Sequence, residues 1–347
     1  MRGSGTQADP YIITNVAELR QCCQYDHCYM KLGNDIDFNY DTILWGWEPL
    51  GGRFNELDGD GYKITNCYCY HAAFINLSSA SFTPIVRNVI IEAIFINNAP
   101  SSQNDGNGFI SWYNAGSGTP IYFYDCDIRV KYYVETNNTV LFMSYWSYSN
   151  AMGFYRRCIF NIDFYPNGYE KTQIFNGSGS HNAGDIKNCE IKISIHMANN
   201  LFSGRSIYYT DTSGLAKENC LMYVFSQAAN ANNKIPYEND AVFINIDGMN
   251  PSLSDKLCII LSDASGQRFS NSYFILNDVK GNYLDTKDII FESCTSGNFA
   301  TSCFMNDKAQ FYNKNQAQTD LSGNLHRLTD EQCKSLQDLL DIGFIIV

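Results

Sequence analysis

The chain contains the stretch Asp125-Cys-Asp-Ile-Arg-Val130. Close copies follow at Arg157-Cys-Ile-Phe-Asn-Ile162, Asn188-Cys-Glu-Ile-Lys-Ile193 and Asn219-Cys-Leu-Met-Tyr-Val224, with shorter copies around Cys258 and Cys294. The separations between successive cysteines are 32, 31, 31, 38 and 36 residues. A period of about 20–50 residues is typical of a solenoid or propeller-like array. Because the copies are rich in β-branched residues and no helical pattern separates them, they favour a β-solenoid.

The repeated cysteine predicts an internal column with one thiol in each coil. Neighbouring parallel strands lie about 4.8 Å apart, and thiols at that spacing stack without the geometry of a disulfide. The chain has 13 cysteines, which is an odd number, and their spacing does not match a zinc site. We therefore expect reduced, buried thiols, no bound metal and no cofactor, in a protein assembled in a reducing cytoplasm.

Composition excludes several classes of function. The chain has 347 residues, with 24 Lys+Arg against 36 Asp+Glu, and a formal net charge of −12. Such an acidic chain is not expected to bind the negatively charged phosphates of a nucleic acid. The first residues lack the apolar stretch of a signal peptide, and no apolar run reaches the length of about 18 residues that spans a bilayer. We therefore expect neither a signal peptide nor insertion into a membrane.

Alternating patterns predict strands over 88–96, 122–130 and 241–246. Helical patterns occur near both ends. Asn15 is a candidate N-cap of a short helix that carries Val16, Leu19 and Cys23 on one face. Near the other end, the stretch Thr329-Asp-Glu-Gln332 is a capping box before a second short helix, which the apolar residues Cys333, Leu336, Leu339 and Leu340 continue. The sequence thus predicts one helix at each end of a long run of strands.

The opening of the chain carries several motifs in a fixed order. They are Gly3-Ser-Gly-Thr-Gln-Ala-Asp-Pro-Tyr-Ile-Ile13, Val16-Ala-Glu-Leu19, Tyr29-Met-Lys-Leu-Gly-Asn-Asp-Ile-Asp37, Trp47-Glu-Pro-Leu-Gly51 and Phe54-Asn-Glu-Leu-Asp-Gly-Asp-Gly-Tyr-Lys-Ile64. This order resembles the opening of GLUG-type right-handed β-helix proteins, which occur among bacterial surface adhesin-like proteins and phage virion proteins. The resemblance covers residues 3–66, and it implies a capping strand and helix followed by the first full coil.

Together these patterns predict an all-β protein, a single-stranded right-handed parallel β-helix (β-solenoid) with short N-terminal and C-terminal capping helices. The expected divisions are an N-terminal cap over 1–40, the β-helix coils over 41–325, and a C-terminal capping helix and strand over 326–347.

The sequence shows no catalytic motif, and we expect a protein that is not an enzyme. The nearest pairs of acids are Glu238 with Asp240 and Asp285 with Asp288, and both lie in turn-like segments. His181 only faintly resembles the histidine element of polygalacturonases. The carboxylates Asp35, Asp37, Asp58 and Asp60 cap turns or, as an alternative, bind calcium. A solenoid also brings together carboxylates from different coils, so a β-helix polysaccharide lyase or hydrolase is a second alternative function.

Aromatic residues beside turns are the candidate contact site. Rings of this kind stack on sugars and anchor protein interfaces. The candidate site residues for a glycan or a partner are Trp112, Tyr113, Tyr145, Trp146 and Tyr148. Further aromatic pairs are Tyr165 with Tyr169 and Tyr208 with Tyr209.

The resemblance and the absence of a signal peptide favour a non-enzymatic phage virion structural protein. We expect a β-helical appendage or capsid decoration component, such as a head fibre, tail fibre or tail-spike-like subunit. Its expected location is the virion, its expected partners are other virion proteins and a host surface glycan, and a homo-oligomer is plausible for a fibre. The first alternative is a bacterial surface adhesin-like β-helix.

Overall fold

The structure is a computed structural model of the chain. It describes residues 1–39, 42–43, 50–51, 53–70, 74–77, 83–97, 109–112, 120–134, 139–140, 152–165, 172–177, 184–196, 209–210, 216–217, 220–227, 235–238, 241–247, 256–260, 267–270, 273–278, 289–292, 303–306, 310–313, 316–318, 325–329 and 331–332.

The elements begin with the strand β1 (Tyr11–Ile13) and the helix α1 (Val16–Cys22). The next strands are β2 (Tyr29–Leu32), β3 (Ile36–Asp37), β4 (Thr42–Ile43), β5 (Glu56–Asp58), β6 (Lys63–Tyr70), β7 (Ile75–Leu77), β8 (Ile85–Arg87), β9 (Ile90–Asn97), β10 (Ile110–Trp112), β11 (Pro120–Tyr124), β12 (Asp127–Val134), β13 (Thr139–Val140), β14 (Met152–Arg156), β15 (Ile159–Tyr165) and β16 (Thr172–Gly177).

The remaining strands follow in the same chain order. They are β17 (Gly184–Lys187), β18 (Glu190–His196), β19 (Tyr209–Thr210), β20 (Ala216–Lys217), β21 (Cys220–Gln227), β22 (Ile235–Glu238), β23 (Ala241–Asp247), β24 (Lys256–Ile260), β25 (Gln267–Ser270), β26 (Tyr273–Asp278), β27 (Ile289–Glu292), β28 (Cys303–Asn306), β29 (Gln310–Asn313), β30 (Gln316–Gln318) and β31 (Leu325–Leu328).

The described strands form three large sheets. Sheet 1 has the order β1-β2-β5-β8-β11-β14-β17-β22-β25. Sheet 2 has the order β3-β6-β9-β12-β15-β18-β23-β26-β28-β31, with β4 also paired to β6, and sheet 3 has the order β13-β16-β21-β24-β27-β29-β30. Pairing is parallel throughout except for β19 with β20 and β29 with β30. The predicted all-β class with parallel, solenoid-like sheets is confirmed. Sheet 1 already begins at Tyr11, inside the region predicted as the N-terminal cap.

The core lies between the sheets because the side chains alternate inward and outward along each strand. The inward side chains of sheet 1 form one buried column that runs through successive coils. Its members, each in register with the next, are Leu57, Val86, Phe123, Tyr155 and Ile186. Sheet 2 contributes an equivalent buried column, made of Ile64, Ile91, Ile128, Phe160 and Ile191. One pattern of apolar residues, repeated in each coil, therefore produces a continuous core along the axis.

A two-residue corner joins each of the strands β8, β11, β14 and β17 of sheet 1 to the next strand of sheet 2. Its first residue is left-handed, with φ of +51° at Asn88, +55° at Asp125, +53° at Arg157 and +55° at Asn188. Asn and Asp tolerate this conformation better than other residues with a β-carbon. The segment 122–130, predicted as one strand, is therefore two strands in different sheets, because the backbone turns at Asp125.

The second corner residue is buried, and here the cysteine column is confirmed for Cys126, Cys158 and Cys189. Each thiol donates a hydrogen bond to the carbonyl two residues earlier, at distances of 3.3, 3.4 and 3.3 Å. The fourth predicted member is wrong, because Cys220 lies in sheet 3, where it pairs with Lys256. The coil that contains it is long, and Glu190 pairs with Ala241, so a spacing of 31 residues does not lead to the same corner.

The helix α1 is confirmed with its predicted cap. The Asn15 side chain accepts a hydrogen bond from the Glu18 backbone N–H at 2.9 Å, and Leu19 and Cys22 are buried. At the other end of the chain the predicted capping box is present. The Thr329 N–H donates to Gln332 Oε1 at 2.9 Å, and the Gln332 N–H donates to Thr329 Oγ1 at 3.4 Å. The predicted continuation of this helix through Cys333, Leu336, Leu339 and Leu340 falls outside the described residues.

We predict that the thiols of Cys22, Cys28 and Cys126 resist alkylation in the folded protein. All are buried. Burial raises the pKa of Cys22 to about 12 and that of Cys28 to about 11, and burial raises the pKa of Cys126 as well. Since only the thiolate reacts, iodoacetamide at pH 8 leaves these residues unmodified, while the same reagent in guanidinium chloride modifies them. Peptide mass spectrometry gives the readout, and equal modification in both conditions contradicts the prediction.

Candidate functional site

The residues predicted as the contact site lie almost entirely outside the described part of the chain. Trp112 ends β10, where its backbone pairs with Leu77. The side chain of Trp112 and all of Tyr113, Tyr145, Trp146 and Tyr148 fall outside the described residues, so their role stays a prediction.

A different group of aromatic side chains lies on the outer face of sheet 1. This outer aromatic cluster consists of Tyr122 and Tyr124 on β11 and Phe154 on β14, and all three are half-buried. Tyr122 and Phe154 are in register, and their ring centroids are 4.8 Å apart with planes 15° from parallel. The Tyr122 and Tyr124 rings are 6.1 Å apart and 4° from parallel. The cluster is therefore an ordered array across two neighbouring coils.

A second aromatic array lies on the outer face of sheet 2. The Tyr133 and Tyr165 centroids are 4.6 Å apart, and the His196 ring lies 4.4 Å beyond Tyr165. His196 Nε2 lies 3.6 Å from Asp163 Oδ1. Burial raises the pKa of Tyr165, and the nearby Asp163 and Tyr133 act in the same direction. These three rings form a separate stack of their own, with one ring on each of three successive coils.

The stacking decides which part of each ring faces outward. A centroid separation of 4.8 Å equals the spacing of about 4.8 Å between neighbouring strands. The rings of Tyr122 and Phe154 thus lie face to face along the solenoid axis, with their edges turned to the outside. A ligand that approaches this pair from outside meets ring edges and the Tyr122 hydroxyl group, because the facing sides of the two rings contact each other.

Cations lie in register beside the cluster. Across sheet 1, Arg87 pairs with Tyr124, Tyr124 with Arg156, and Arg156 with Lys187. Arg156 Nη1 donates to the Tyr155 carbonyl at 2.9 Å, and its guanidinium carbon lies 6.0 Å from the Phe154 ring centroid. We call Arg156 and Lys187 the cation pair.

Carboxylates pair with Arg87 and Arg157 on this side of the solenoid. Arg87 Nη2 lies 2.9 Å from both Glu56 Oε1 and Asp58 Oδ2, and the hydrogen bond to Glu56 is the main cause that raises the pKa of Arg87. Arg157 forms a two-pronged pair with Asp125, at 2.6 and 2.7 Å. These ion pairs link successive coils along the corner.

Three of the aspartates considered for calcium accept hydrogen bonds, either within their own turn or from a residue of the next coil. Asp37 Oδ1 accepts from the Asn39 N–H and the Asn66 side chain, which lowers the pKa of Asp37, with the Asn66 contribution the larger. Asp58 Oδ1 accepts from the Asp60 N–H at 3.0 Å, and Asp35 Oδ1 accepts from the Lys63 N–H at 3.0 Å. Within the described ranges no group of three or more His, Cys, Asp and Glu side chains could hold a metal ion.

The remaining sequence candidates give no site in the described residues. His181, Asp240, Asp285 and Asp288 lie outside them, and Glu238 ends β22. In the described part of the chain, no helix has the length and apolar character that crossing a membrane requires.

Comparison with known proteins gives a likeness that bears on the fold. No protein-family model matches the chain, and no curated protein matches it significantly. A crystal structure of a "putative immunoglobulin A1 protease" from Bacteroides ovatus matches with a TM-score of 0.53 and 17% sequence identity. The match covers 98% of this chain and 89% of that chain. At this identity the likeness establishes a shared fold.

This likeness corrects the expectation that the chain is not an enzyme. A solved structure with the same fold over nearly the whole chain bears the name of a protease, so that expectation is wrong. Its basis was the absence of a local catalytic motif in the sequence. The physical reason for the error is that a solenoid brings side chains from separate coils onto one face, where sequence spacing does not reveal them.

The sequence analysis missed the outer aromatic cluster and the cation pair. The sequence does contain a signal for part of the aromatic cluster, since the alternating segment 120–124 places Tyr122 and Tyr124 on one face of a strand. Their alignment with Phe154 and Arg156 depends on the register between coils, and coils of unequal length conceal that register. Tyr165 is the one residue of the second array that the sequence analysis named.

Proposed function

We propose that the protein is an attachment module, a parallel β-solenoid that binds a surface glycan through the outer face of sheet 1. The observation that carries the proposal is the outer aromatic cluster, three rings held in register on two coils. A rigid sheet fixes these rings before binding, which reduces the entropy lost on contact. The tyrosine hydroxyls supply hydrogen bonds of the kind that sugars accept and donate.

The finer description of the fold is part of this proposal. We infer a single right-handed parallel β-helix with short helices at both ends. The order of strands in sheets 1 and 2 supports it, because each strand pairs with its counterpart one coil further along the chain. Crossover connections between parallel strands of one sheet are right-handed in nearly all proteins. The capped start of α1 and the capping box at Thr329 support the two end helices.

Two settings fit an attachment module. The virion appendage predicted from the sequence stays a prediction, together with its virion partners and location. The alternative setting is a bacterial surface, and the bacterial origin of the structural neighbour supports it. Mass spectrometry of purified phage particles and of cell-surface fractions from the source distinguishes the two.

A glycan array tests the proposed function. The purified chain is compared with the double variant Tyr122→Phe, Tyr124→Phe, which keeps the stacked rings and removes two outward hydroxyls. We expect binding to a glycan in the wild type and an affinity about tenfold weaker in the variant, since each hydrogen bond contributes about 0.5–1.5 kcal/mol.

The matched control is Tyr25→Phe, Tyr62→Phe, because both tyrosines are exposed and lie outside the cluster. This control is expected to bind like the wild type. An array on which the wild type binds nothing, or on which both double variants lose affinity equally, refutes the proposal.

A further inference from the structure

The first strand of sheet 1 pairs with the sheet along one side only. β1 lies parallel to β2, in a register that runs from Tyr11 with Met30 to Ile13 with Leu32, and it stands first in the strand order. The other side of β1 is therefore an edge of the sheet. Edges of this kind add strands from other chains unless the protein protects them.

The backbone of β1 presents no open N–H group at this edge over residues 10–14. The Ile12 N–H donates to the Arg2 carbonyl at 2.8 Å, in an antiparallel bridge. Because N–H groups alternate in direction along a strand, Pro10 and Thr14 take the two neighbouring outward positions. Proline has no N–H, and the Thr14 N–H donates to Glu18 Oε2 at 2.8 Å. Each outward position is thus either bonded or without a donor.

The segment 1–5 is seated closely against this edge. The Gly5 carbonyl accepts a hydrogen bond from the Tyr29 N–H at 2.9 Å. Gly3 has a φ of +95°, and a β-carbon there would collide with the Pro10 carbonyl oxygen. Glycine at position 3 therefore allows the segment to lie beside the strand, and a larger residue would push it away.

Glu18 holds this arrangement at both ends. Its Oε1 lies 2.7 Å from the Met1 amino group. Its Oε2 accepts hydrogen bonds from the Thr14 N–H and the Thr14 hydroxyl, at 2.8 and 3.0 Å. One carboxylate in the first turn of α1 therefore fixes the segment and also occupies the last outward N–H of the edge. We call residues 1–4 together with Glu18 the edge guard.

We propose that the edge of β1 is a docking edge for a second copy of this chain, and that the edge guard keeps it closed. Arg2 already pairs with Ile12 in the antiparallel sense, so the edge has the geometry that an antiparallel strand requires. When the guard is displaced, β1 of one copy pairs with β1 of a second copy about a two-fold axis. Opposed Ile12 residues then exchange their N–H and carbonyl groups, and the closed symmetry stops the association at a dimer.

Size-exclusion chromatography with light scattering tests the proposal on the full chain. The variant Gly3→Ala, Glu18→Ala removes the close approach and the carboxylate, so the guard no longer seats. We expect this variant to have the mass of a dimer at high protein concentration. Hydrogen exchange at the Ile12 amide is expected to be about tenfold faster than in the wild type in dilute solution, and slow again in the dimer.

The matched control is Gly61→Ala, Glu331→Ala. Gly61 also has a positive φ but has open space around it, and Glu331 is an exposed residue of the C-terminal capping box. We expect this control to have the mass and the Ile12 exchange rate of the wild type.

A third substitution separates strand pairing from misfolding. Adding Ile12→Lys to the guard variant is expected to restore the mass of the wild type, because like charges would then oppose each other across the two-fold axis. Aggregation of misfolded chains would not be reversed by this change. A guard variant that keeps the wild-type mass at every concentration, or a gain in mass that Ile12→Lys leaves unchanged, overturns the proposal.

Discussion

Phe160→Ala is expected to lower the free energy of unfolding by about 4 kcal/mol, within the range of large-to-small core substitutions. Phe160 is fully buried in the inward column of sheet 2, in register with Ile128 and Ile191. Its ring contacts Tyr155 edge to face, with centroids 5.1 Å apart. Removing it leaves a cavity between two sheets whose backbones are fixed by pairing to the coils on either side, so collapse around the cavity is limited.

The neighbouring residue provides the control. Ile159 lies on the same strand with its side chain outward and 39% exposed. Ile159→Ala is expected to cost less than about 1 kcal/mol, as is usual for surface positions. Chemical denaturation followed by far-UV circular dichroism measures both values. Similar losses for the two variants would show that the interior of this coil is not packed as described.

Gly59→Ala is expected to lower the free energy of unfolding by about 3 kcal/mol, at the upper end of the usual cost of overpacking. Gly59 does not have a left-handed φ. Its requirement for glycine comes from close approach, because a β-carbon there would collide with the Asn88 carbonyl oxygen and lie 2.6 Å from Val89 Cα. Both groups belong to the corner of the next coil, so the collision would push the two coils apart at this corner.

Gly61→Ala is the matched control two residues away. Gly61 has a φ of +84°, and a β-carbon there would meet no atom within 4 Å. Its replacement is expected to cost only the strain of a left-handed alanine, about 1 kcal/mol. Denaturation of both variants, with hydrogen exchange at Arg87 and Asn88, gives the comparison. An equal or larger loss for Gly61→Ala would contradict the assignment of the contact to Gly59.

These two glycines show where sequence reasoning reached its limit. The motif 57–61 predicts a turn in which both glycines supply positive φ, and the structure confirms this for Gly61 only. Asp60 takes the other left-handed position, at +52°. A motif predicts a turn because turn chemistry is local, but the space available to Gly59 is set by a corner about one coil away in sequence.

The candidate site likewise has one part that the sequence predicts and another part that only the tertiary structure determines. Strand alternation in the segment 120–124 is enough to place Tyr122 and Tyr124 on one face. Neither residue has a sequence relation to Phe154, Arg156 or Lys187, which join them through register in neighbouring coils. The site is therefore a product of pairing between coils.

The sequence alone determined the β-rich class, the period, the buried thiols of Cys126, Cys158 and Cys189, and the caps at Asn15 and Thr329. Each of these depends on alternation, on turn residues or on hydrogen bonds within a few residues, which are local effects. The tertiary structure decided which cysteines share a column and which outward side chains meet. Coil length varies between neighbouring coils, so only hydrogen bonding between strands fixes which residue of one coil lies beside which residue of the next.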